Sequence, residues 1–329
     1  MHAIILAAGY GTRMGELTKY VPKSLIPIGN KPILQHLIES LYQCGIKDFI
    51  FAVGHLKDQI TSFLKKIQKK DLNFNIKFAE DFSKGPLYSF AACLSEIRDE
   101  DFILVPADLL IDPKALAGLL RKSEKGYLTV AFDETKAEAH RSIITLSSDD
   151  RAPQVLGLTS KMREGTAITK SLVPLLISRV DFQSYVKKSL GLNQTKVIDA
   201  MQLFLEAKKN SMAAHKIQSG SWFDLDTIED VLSTNALFLA QGSGIESPPI
   251  NSKQPSSQNI TIKNPVLIGD HCKINANCII GPNVSIGDHS SILQHVNLQN
   301  SIVFPRSEVP AHSTIRNAIF FKTIYTTIS

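Results

Sequence analysis

Short apolar runs alternate with amphipathic stretches through the N-terminal third of the chain. The apolar runs are typical of buried strands, at 2–8, 49–53, 74–79 and 102–106. Between them, apolar residues at helical spacing predict helices over 32–45, 60–67 and 87–97. Pro32 would open the first helix and Gly45 would close it. This β-α-β-α-β-α-β order predicts a mostly parallel sheet with helices on both faces, which binds ligands at the carboxyl ends of its strands.

The same domain is predicted to continue to residue 240. Further strand-like runs follow at 127–132, 142–146 and 155–158, with a helix near 195–208. A strand around Trp222 then leads into a last helix, for which Thr227 and Asp230 have the spacing of an N-cap pair. Trp222 itself is more typical of core packing than of stacking on a base.

The C-terminal part of the chain has a different period. Residues 241–258 are rich in Ser, Pro, Gly, Gln and Asn and are predicted to be a linker. Beyond them one aliphatic or aromatic residue recurs every six positions, at Ile262, Ile268, Ile274, Ile280, Ile286, Ile292, Leu298 and Phe304. The phase then slips by one and resumes at Val309, Ile315 and Phe321. Hexapeptide repeats of this kind build parallel β-helices, so residues 259–329 predict a β-helix of about three coils.

Composition narrows the function classes. The chain has 329 residues, a net charge of +5 and no arginine-rich arm, so nucleic acid is not an expected partner. Its four cysteines form no CxxC pair, which argues against a zinc or redox site. No apolar run approaches the ~18 residues of a membrane span. The short apolar start lacks the features of a secretion signal, and the cytoplasm is therefore the expected compartment.

The candidate chemistry lies in a glycine-rich segment that follows the first strand. Glycines at positions 9, 11 and 15 would let backbone N–H groups approach phosphate oxygens closely. Arg13 and Lys23 flank this loop and would neutralise a triphosphate and a leaving pyrophosphate. Neither the GxxxxGK[ST] loop nor the GxGxxG dinucleotide fingerprint is present in the sequence, so this is a different phosphate loop.

The segment from Ala8 to Ile28 resembles the signature AGxGTRLxPLTxxxPKxLLPV of the sugar-phosphate nucleotidyltransferase superfamily. The resemblance extends to about residue 240, and members of that family often carry a left-handed β-helix tail. It implies a Rossmann-like α/β nucleotidyltransferase domain over 1–240 and a short left-handed parallel β-helix over 259–329. It also implies the activity: a nucleoside triphosphate (NTP) and a sugar-1-phosphate or polyol phosphate give a nucleoside diphosphate sugar (NDP-sugar) and pyrophosphate.

Site residues follow from the resemblance position by position. Arg13 and Lys23 would hold the phosphates, Asp108 and Asp224 would bind Mg²⁺, and Lys161 would grip the sugar phosphate. Asp226, two residues beyond Asp224, is a competing candidate for the metal, and Lys161 could equally be a surface lysine. Arg13, Lys23 and Asp108 form the implied catalytic set. The implied nucleotide site comprises Leu6, Ala7, Ala8, Gly9, Gly11, Thr12, Arg13, Lys23, Gly85 and Ser89.

The resemblance also bears on the base and the acceptor. The family's base-reading segment usually reads PLGTA, whereas this chain has Pro86-Leu87-Tyr88-Ser89-Phe90. Tyr-Ser in place of Gly-Thr resembles cytidylyltransferases that act on inositol phosphate and phosphocholine, and the Asp-x-Asp-Thr run at 224–227 is similar to the inositol-phosphate branch. The sequence therefore favours CTP and leaves the acceptor open.

Two other functions stay open at this point. One is a non-catalytic regulatory subunit, which the presence of Arg13, Lys23, Asp108 and Asp224 disfavours. The other is a bifunctional enzyme with an acyltransferase tail, suggested by four histidines at 271, 289, 295 and 312 but disfavoured by the shortness of the β-helix. A solenoid of about three coils has open ends. We therefore expect the tail to build a homo-oligomer and catalysis to reside in residues 1–240.

Overall fold

The computed structural model describes residues 1–97, 101–133, 143–146, 155–159, 168–241, 259–322 and 324–327. Contacts divide the chain into two compact units. The first, here called the sheet unit, comprises Met1–Tyr10 and His36–Asp224. The second, the β-helix unit, comprises Gly11–Gln35 and Leu225–Ser329. The segment that follows the first strand is therefore grouped with the C-terminal repeats, which the sequence did not predict.

Strands and helices alternate through the first 240 residues. The strands there are β1 His2–Ala7, β2 Pro27–Ile28, β3 Lys31–Pro32, β4 Asp48–Val53, β5 Asn73–Phe78, β6 Asp101–Pro106, β7 Leu109–Ile111, β8 Leu128–Asp133, β9 Ile143–Leu146, β10 Val155–Thr159, β11 Ile168–Arg179, β12 Met212–Lys216 and β13 Trp222–Asp224. The α-helices are α1 Ile33–Gln43, α2 Lys57–Ile67, α3 Pro86–Ala91, α4 Pro113–Lys122, α5 Gln183–Gly191, α6 Val197–Ala207 and α7 Ile228–Ala240. Short 3-10 helices lie at Thr12–Lys19, Lys23–Leu25, Phe82–Lys84 and Leu94–Glu96.

The sheet unit is built on one large sheet. Its central strands run in the order β6-β1-β4-β5 and are all parallel, which confirms the parallel core predicted from the first four apolar runs. The long strand β11 then pairs antiparallel with β6, β8 and β9. A cluster of aromatic rings packs beside it, with the centroids of Phe90 and Phe102 5.6 Å apart. Strand β1 is flanked by β4 and β6, which run parallel to it. Its carboxyl end therefore lies in the middle of the sheet edge at which the parallel strands end.

Two predicted boundaries in the first 240 residues differ from the structure. The helix expected over 87–97 is two pieces, α3 and the 3-10 turn Leu94–Glu96. α1 begins at Ile33, since Pro32 is the last residue of the short strand β3. Other predictions hold: Gly45 follows the first helix with a φ of 86°, and Thr227 and Asp230 form a reciprocal capping box at α7.

The β-helix is confirmed: its strands β14 to β22 stack in parallel, and the last strand, β23, pairs antiparallel with β22. The strands are β14 Thr261–Ile262, β15 Val266–Ile268, β16 Lys273–Ile274, β17 Ile279–Ile280, β18 Val284–Ile286, β19 Ser291–Ile292, β20 Asn297–Val303, β21 Glu308–Val309, β22 Thr314–Phe321 and β23 Ile324–Thr327. Ile262 pairs with Ile280, and Ile280 in turn pairs with Leu298. Ile280, Ile286, Ile292 and Leu298 have no exposed surface, so they form the predicted inward stripe.

The phase slip, however, lies earlier than the sequence suggested. The core position after Leu298 is taken by Val303, and Phe320 takes the corresponding position one coil later. The predicted residues Phe304 and Phe321 are instead displaced by one and make an edge-to-face contact with each other, with centroids 5.2 Å apart. Here β20 runs without interruption from Asn297 to Val303, and the step from Leu298 to the next core residue is five positions instead of six.

The corners of the β-helix explain its histidines. His271, His289, His295 and His312 all have φ values between 58° and 62°, in the left-handed region where Asn and His are enriched. Their rings stack in pairs along the coil axis, 4.9 Å apart for His271 and His289 and 4.8 Å for His295 and His312. This arrangement gives the four residues a structural role in the corners.

None of the helices in the described part of the chain combines the length and apolar character that a membrane crossing needs.

Candidate nucleotide and metal site

The carboxyl end of β1 forms the first part of the site, within the sheet unit. The main chain continues the sheet pattern, since Leu6 O accepts a hydrogen bond from Ala107 N–H at 3.0 Å and Ala8 O accepts one from His55 N–H at 2.9 Å. A side chain at Gly9 would meet no atom within 4 Å. These two hydrogen bonds anchor the backbone at Leu6 and Ala8, and the position of a Cβ at Gly9 faces open space.

Three aromatic rings stand beside this strand end. The centroid of Tyr10 lies 5.1 Å from that of His55 and 5.0 Å from that of Phe82, and Tyr10 is 47% exposed. This cluster was not predicted from the sequence, because the three residues are far apart in the chain. A signal was present in Tyr10 itself, a large aromatic side chain placed between two glycines of a loop.

The predicted base-reading segment lies at the start of α3, which packs against β1. Gly85 has a φ of 136°, and a Cβ there would come within 2.6 Å of Thr195 O, so close packing alone requires glycine. Ser89 is only 4% exposed, which leaves its side chain little surface for a ligand. For both residues the structure thus gives a packing reason in addition to the predicted nucleotide contact.

Asp108 and Asp224 are brought together by a short antiparallel pairing. Asp108 follows β6 and directly precedes β7, while Asp224 ends β13 and is the register partner of Leu109. Their carboxylate oxygens come within 4.8 Å of each other, and both side chains are half-buried. Trp222 on the same strand is buried and donates its indole N–H to Asp133 Oδ2 at 2.8 Å, so it is a core residue.

Two half-buried carboxylates at this separation fit a divalent cation. Carboxylate oxygens are the protein ligands that Mg²⁺ and Ca²⁺ prefer, and two of them can contact one ion together. Neighbouring like charges without a cation would repel each other. The structure therefore supports an acidic metal-binding position in the sheet unit.

The part of the signature segment from Gly11 to Ile28, here called the signature loop, lies in the β-helix unit and is folded on itself. Gly11 has a φ of 67°, and a Cβ there would press within 3.1 Å of both Lys23 and Thr18. The Thr18 hydroxyl lies within hydrogen-bond reach of Gly11 O at 3.1 Å and Gly15 O at 3.2 Å. Thr12, which begins the 3-10 helix, is exposed at the loop surface. These contacts bend the chain so that Arg13 and Lys23, ten positions apart, reach the same point.

That point is occupied by the carboxylate of Asp226. Arg13 Nη1 donates to Asp226 Oδ2 at 2.5 Å, and Lys23 Nζ donates to Asp226 Oδ1 at 2.7 Å. Burial of Asp226 works to raise the pKa of its carboxyl, but Lys23 and Arg13 together outweigh burial and hold that pKa below its ordinary value. From the sequence, Asp226 was a candidate metal ligand only, and this pairing was not foreseen.

The predicted residues thus fall into two groups, one in each unit. Leu6 to Gly9, Gly85, Ser89, Asp108 and Asp224 belong to the sheet unit, and Gly11, Thr12, Arg13 and Lys23 belong to the β-helix unit. Lys161, the predicted sugar-phosphate residue, lies outside the described residues.

The family model described as "MobA-like NTP transferase domain" matches residues 3–178, more than half of the chain. The chain belongs to this family. A second model, described as "GMPPB C-terminal domain", matches residues 262–323, which cover most of the β-helix.

Curated relatives of this NTP transferase align with most of its length. It is 28% identical to a mannose-1-phosphate guanyltransferase of Yarrowia lipolytica, over 97% of this chain and 85% of the relative. It is 26% identical to the mannose-1-phosphate guanylyltransferase catalytic subunit beta of Xenopus tropicalis, over 73% and 65% respectively. The first of these alignments includes the β-helix as well as the nucleotidyltransferase region.

Solved structures confirm the fold of the NTP transferase. A UDP-glucose pyrophosphorylase complexed with UDP-glucose aligns with a TM-score of 0.62 at 20% identity, covering 73% of this chain and 98% of that one. The inositol-1-phosphate CTP transferase from T. maritima also aligns with a TM-score of 0.62, at 16% identity, covering 74% and 96%.

Proposed function

We propose that the protein transfers a nucleoside monophosphate from an NTP to a sugar-1-phosphate or polyol phosphate, releasing pyrophosphate. The observation that carries this proposal is the convergence of Arg13 and Lys23. Both cations lie within 2.7 Å of one small anionic group, so the loop is able to present them together to a phosphate group. Membership of the NTP transferase family supports the same reaction.

The chemistry needs cations more than a general base. A phosphate monoester has its second pKa near ~6 and is already a nucleophile at neutral pH. Its oxygen attacks the α-phosphorus of the NTP, the α–β phosphoanhydride bond breaks, and pyrophosphate leaves with the bonding electron pair. Arg13 and Lys23 would stabilise the negative charge that builds on the transferred and leaving groups. Leu6 to Gly9 would hold the nucleoside by main-chain contacts.

Mg²⁺ is the proposed cofactor, held by Asp108 and Asp224. When bound there, it would supply positive charge for the phosphate oxygens of the triphosphate. Both residues lie in the sheet unit, and the β7–β13 pairing supports this assignment because it brings their carboxylates together. Lys161 stays a proposed contact of the sugar phosphate.

The relatives and the sequence motifs point to different choices of base and acceptor. The curated relatives are named for guanylyl transfer to mannose-1-phosphate, whereas Tyr88-Ser89 and the Asp-x-Asp-Thr run favour CTP and a polyol phosphate. The two pairs, GTP with mannose-1-phosphate and CTP with inositol-1-phosphate, are therefore the first to test.

The test is a matrix of NTPs against sugar and polyol phosphates, read by pyrophosphate release and by the mass of the product. We expect release that requires both substrates and a divalent metal ion, with one NTP clearly preferred. If no pair gives pyrophosphate above the rate of an Asp108→Asn control, the transferase proposal is wrong and the regulatory-subunit alternative gains support. Acetyl-CoA with amino sugars, included in the same matrix, tests the acyltransferase alternative.

A homo-oligomer built through the β-helix, and a location in the cytoplasm, also stay proposals. The short solenoid supports the first, because few coils leave its ends exposed.

A further inference from the structure

Asp226 links the two cations of the signature loop through a single carboxylate. Its Oδ2 accepts from Arg13 and its Oδ1 from Lys23, at 2.5 and 2.7 Å. The Asp226 and Lys23 side chains are 16% and 12% exposed, whereas Arg13 is 59% exposed. Each carboxylate oxygen thus faces a different cation in a largely buried position. Two oxygens of one phosphate group, held by the same two cations, would make the same pattern.

The backbone of Asp226 is fixed by the start of α7. Its N–H donates to Asp230 Oδ2 at 3.1 Å, and the N–H of Thr227 donates to the same oxygen at 2.8 Å. The Thr227 hydroxyl in turn accepts from Asp230 N–H at 3.1 Å. These contacts use the backbone N–H of Asp226, whereas its carboxylate pairs with Arg13 and Lys23. The start of α7 therefore fixes the position from which Asp226 forms its ion pairs with the loop.

We propose that Asp226 is an internal counter-ion that occupies the phosphate position of Arg13 and Lys23 and that the triphosphate must displace. This inference rests on the proposed function, and it makes Asp226 a positioning residue. Asp226 offers a single negative charge to the two cations. A triphosphate carries several negative charges and replaces the carboxylate, whereas a singly charged anion competes poorly.

The counter-ion has two consequences for the enzyme. It keeps Arg13 and Lys23 oriented when no nucleotide is bound, so less side-chain freedom is lost on binding. It also weakens the binding of every phosphate ligand by the free energy of the ion pairs that must break. The loop would therefore select polyphosphates over inorganic phosphate.

The test measures the affinity of inorganic pyrophosphate for the full chain by calorimetry in EDTA, where no metal takes part. Asp226→Asn should bind pyrophosphate about tenfold more tightly, which corresponds to ~1.4 kcal/mol. It should also bind inorganic phosphate better. Glu229→Gln is the matched control, since it removes the same charge from an exposed position in the first turn of α7. Asp226→Glu keeps the charge and should stay near the unaltered protein.

Unchanged or weaker pyrophosphate binding in Asp226→Asn, relative to Glu229→Gln, overturns the proposal. If Asp226 is instead a metal ligand, Asp226→Asn raises the magnesium requirement and leaves metal-free binding unchanged. Tighter binding in a protein that transfers no nucleotide would refute the proposed function and leave the counter-ion intact.

A crystal structure of the unaltered chain with pyrophosphate gives a second test that does not depend on a variant folding. We expect Arg13 and Lys23 on phosphate oxygens, with the Asp226 carboxylate moved away from both. Pyrophosphate bound elsewhere, with both ion pairs intact, would contradict the counter-ion role.

Discussion

The sheet unit and the β-helix unit carry proposed site residues of opposite charge. In the sheet unit, Asp108 and Asp224 are held by strand pairing between β7 and β13. In the β-helix unit, Arg13 and Lys23 lie in short 3-10 helices of the signature loop, and both form ion pairs with Asp226. The carboxylates depend on the sheet for their position, and the cations depend on a loop whose other partners lie in the C-terminal part of the chain.

Asn235 on α7 shows how that dependence arises. Its Oδ1 accepts from Gly29 N–H at 2.9 Å and from the Ser285 hydroxyl at 2.9 Å. Gly29 lies just beyond the signature loop, and Ser285 lies in strand β18 of the β-helix. Asn30 donates its side-chain amide to Ile286 O at 2.7 Å in the same region. The β-helix is therefore packed with the segment that carries the proposed phosphate-binding residues, besides any role in assembly.

The largest expected effect comes from the sheet unit. Asp108→Asn and Asp224→Asn should each lower kcat by about 1000-fold or more, because the proposed metal site loses a charged ligand. Thermal unfolding should change little, since both side chains are only half-buried. Steady-state kinetics at saturating magnesium and melting curves check this, and near-normal turnover in both variants would remove these residues from the metal site.

The β-helix core gives the next effect. Ile280→Asp places a carboxylate at a fully buried position and should cost several kcal/mol of stability, on the order of 3–5. Because Gly11–Gln35 belongs to the same unit, we expect turnover to fall together with the melting temperature and the oligomeric mass.

The neighbouring Ile279→Asp is the control, since Ile279 is 37% exposed. Light scattering, melting curves and kinetics on both variants show whether turnover falls together with the stability of the β-helix or is independent of it. Turnover that survives the loss of the β-helix would support the sequence-based expectation that residues 1–240 are catalytically self-sufficient.

A smaller effect is expected from the cations. Lys23→Ala and Arg13→Ala should each lower kcat/KM by about 100-fold, the magnitude typical of removing one group that stabilises transition-state charge. Lys19→Ala is the matched control, because Lys19 lies in the same loop and pairs with Glu16 at the surface. If Lys19→Ala loses as much activity as Lys23→Ala, the effect is general to the loop's charge and the assigned roles are wrong.

The smallest effect concerns the link between loop and β-helix. Asn235→Ala removes the acceptor of two hydrogen bonds at a site that is 1% exposed, and should reduce the free energy of unfolding by ~1–3 kcal/mol. Ser233→Ala, exposed on the same helix, should change it little. Urea unfolding measures both, and equal midpoints for the two variants would show that Asn235 does not hold the loop.

Local patterns predicted the elements well because periodicity is a local property. The four parallel strands, the capping box and the inward stripe of the β-helix all follow from residues close in sequence. The phase slip was misplaced because Val303 and Phe304 are both apolar. Spacings of five and six from Leu298 therefore each reach an apolar residue, and only the folded coil shows which of the two enters the core.

Only the site residues that match motifs of the family could be predicted from the sequence. Arg13, Lys23, Asp108 and Asp224 follow from the resemblance, and the structure brings each pair together within its own unit. The contacts of Asp226 and Asn235 join residues about 200 positions apart, and no local pattern encodes such a contact. The packing reason for Gly85 depends likewise on Thr195, which only the folded chain brings near.

The carboxylates are proposed to serve the metal and the cations to serve the phosphates. The most direct measurement is calorimetric binding of the preferred NTP to the full chain, to Asp108→Asn and to Lys23→Ala, with EDTA and then with magnesium. We predict that Asp108→Asn keeps its metal-free affinity within about twofold and loses the gain from magnesium, while Lys23→Ala binds about tenfold more weakly in both conditions. Unchanged metal-free affinity in Lys23→Ala, with a loss in Asp108→Asn, would contradict this division of roles.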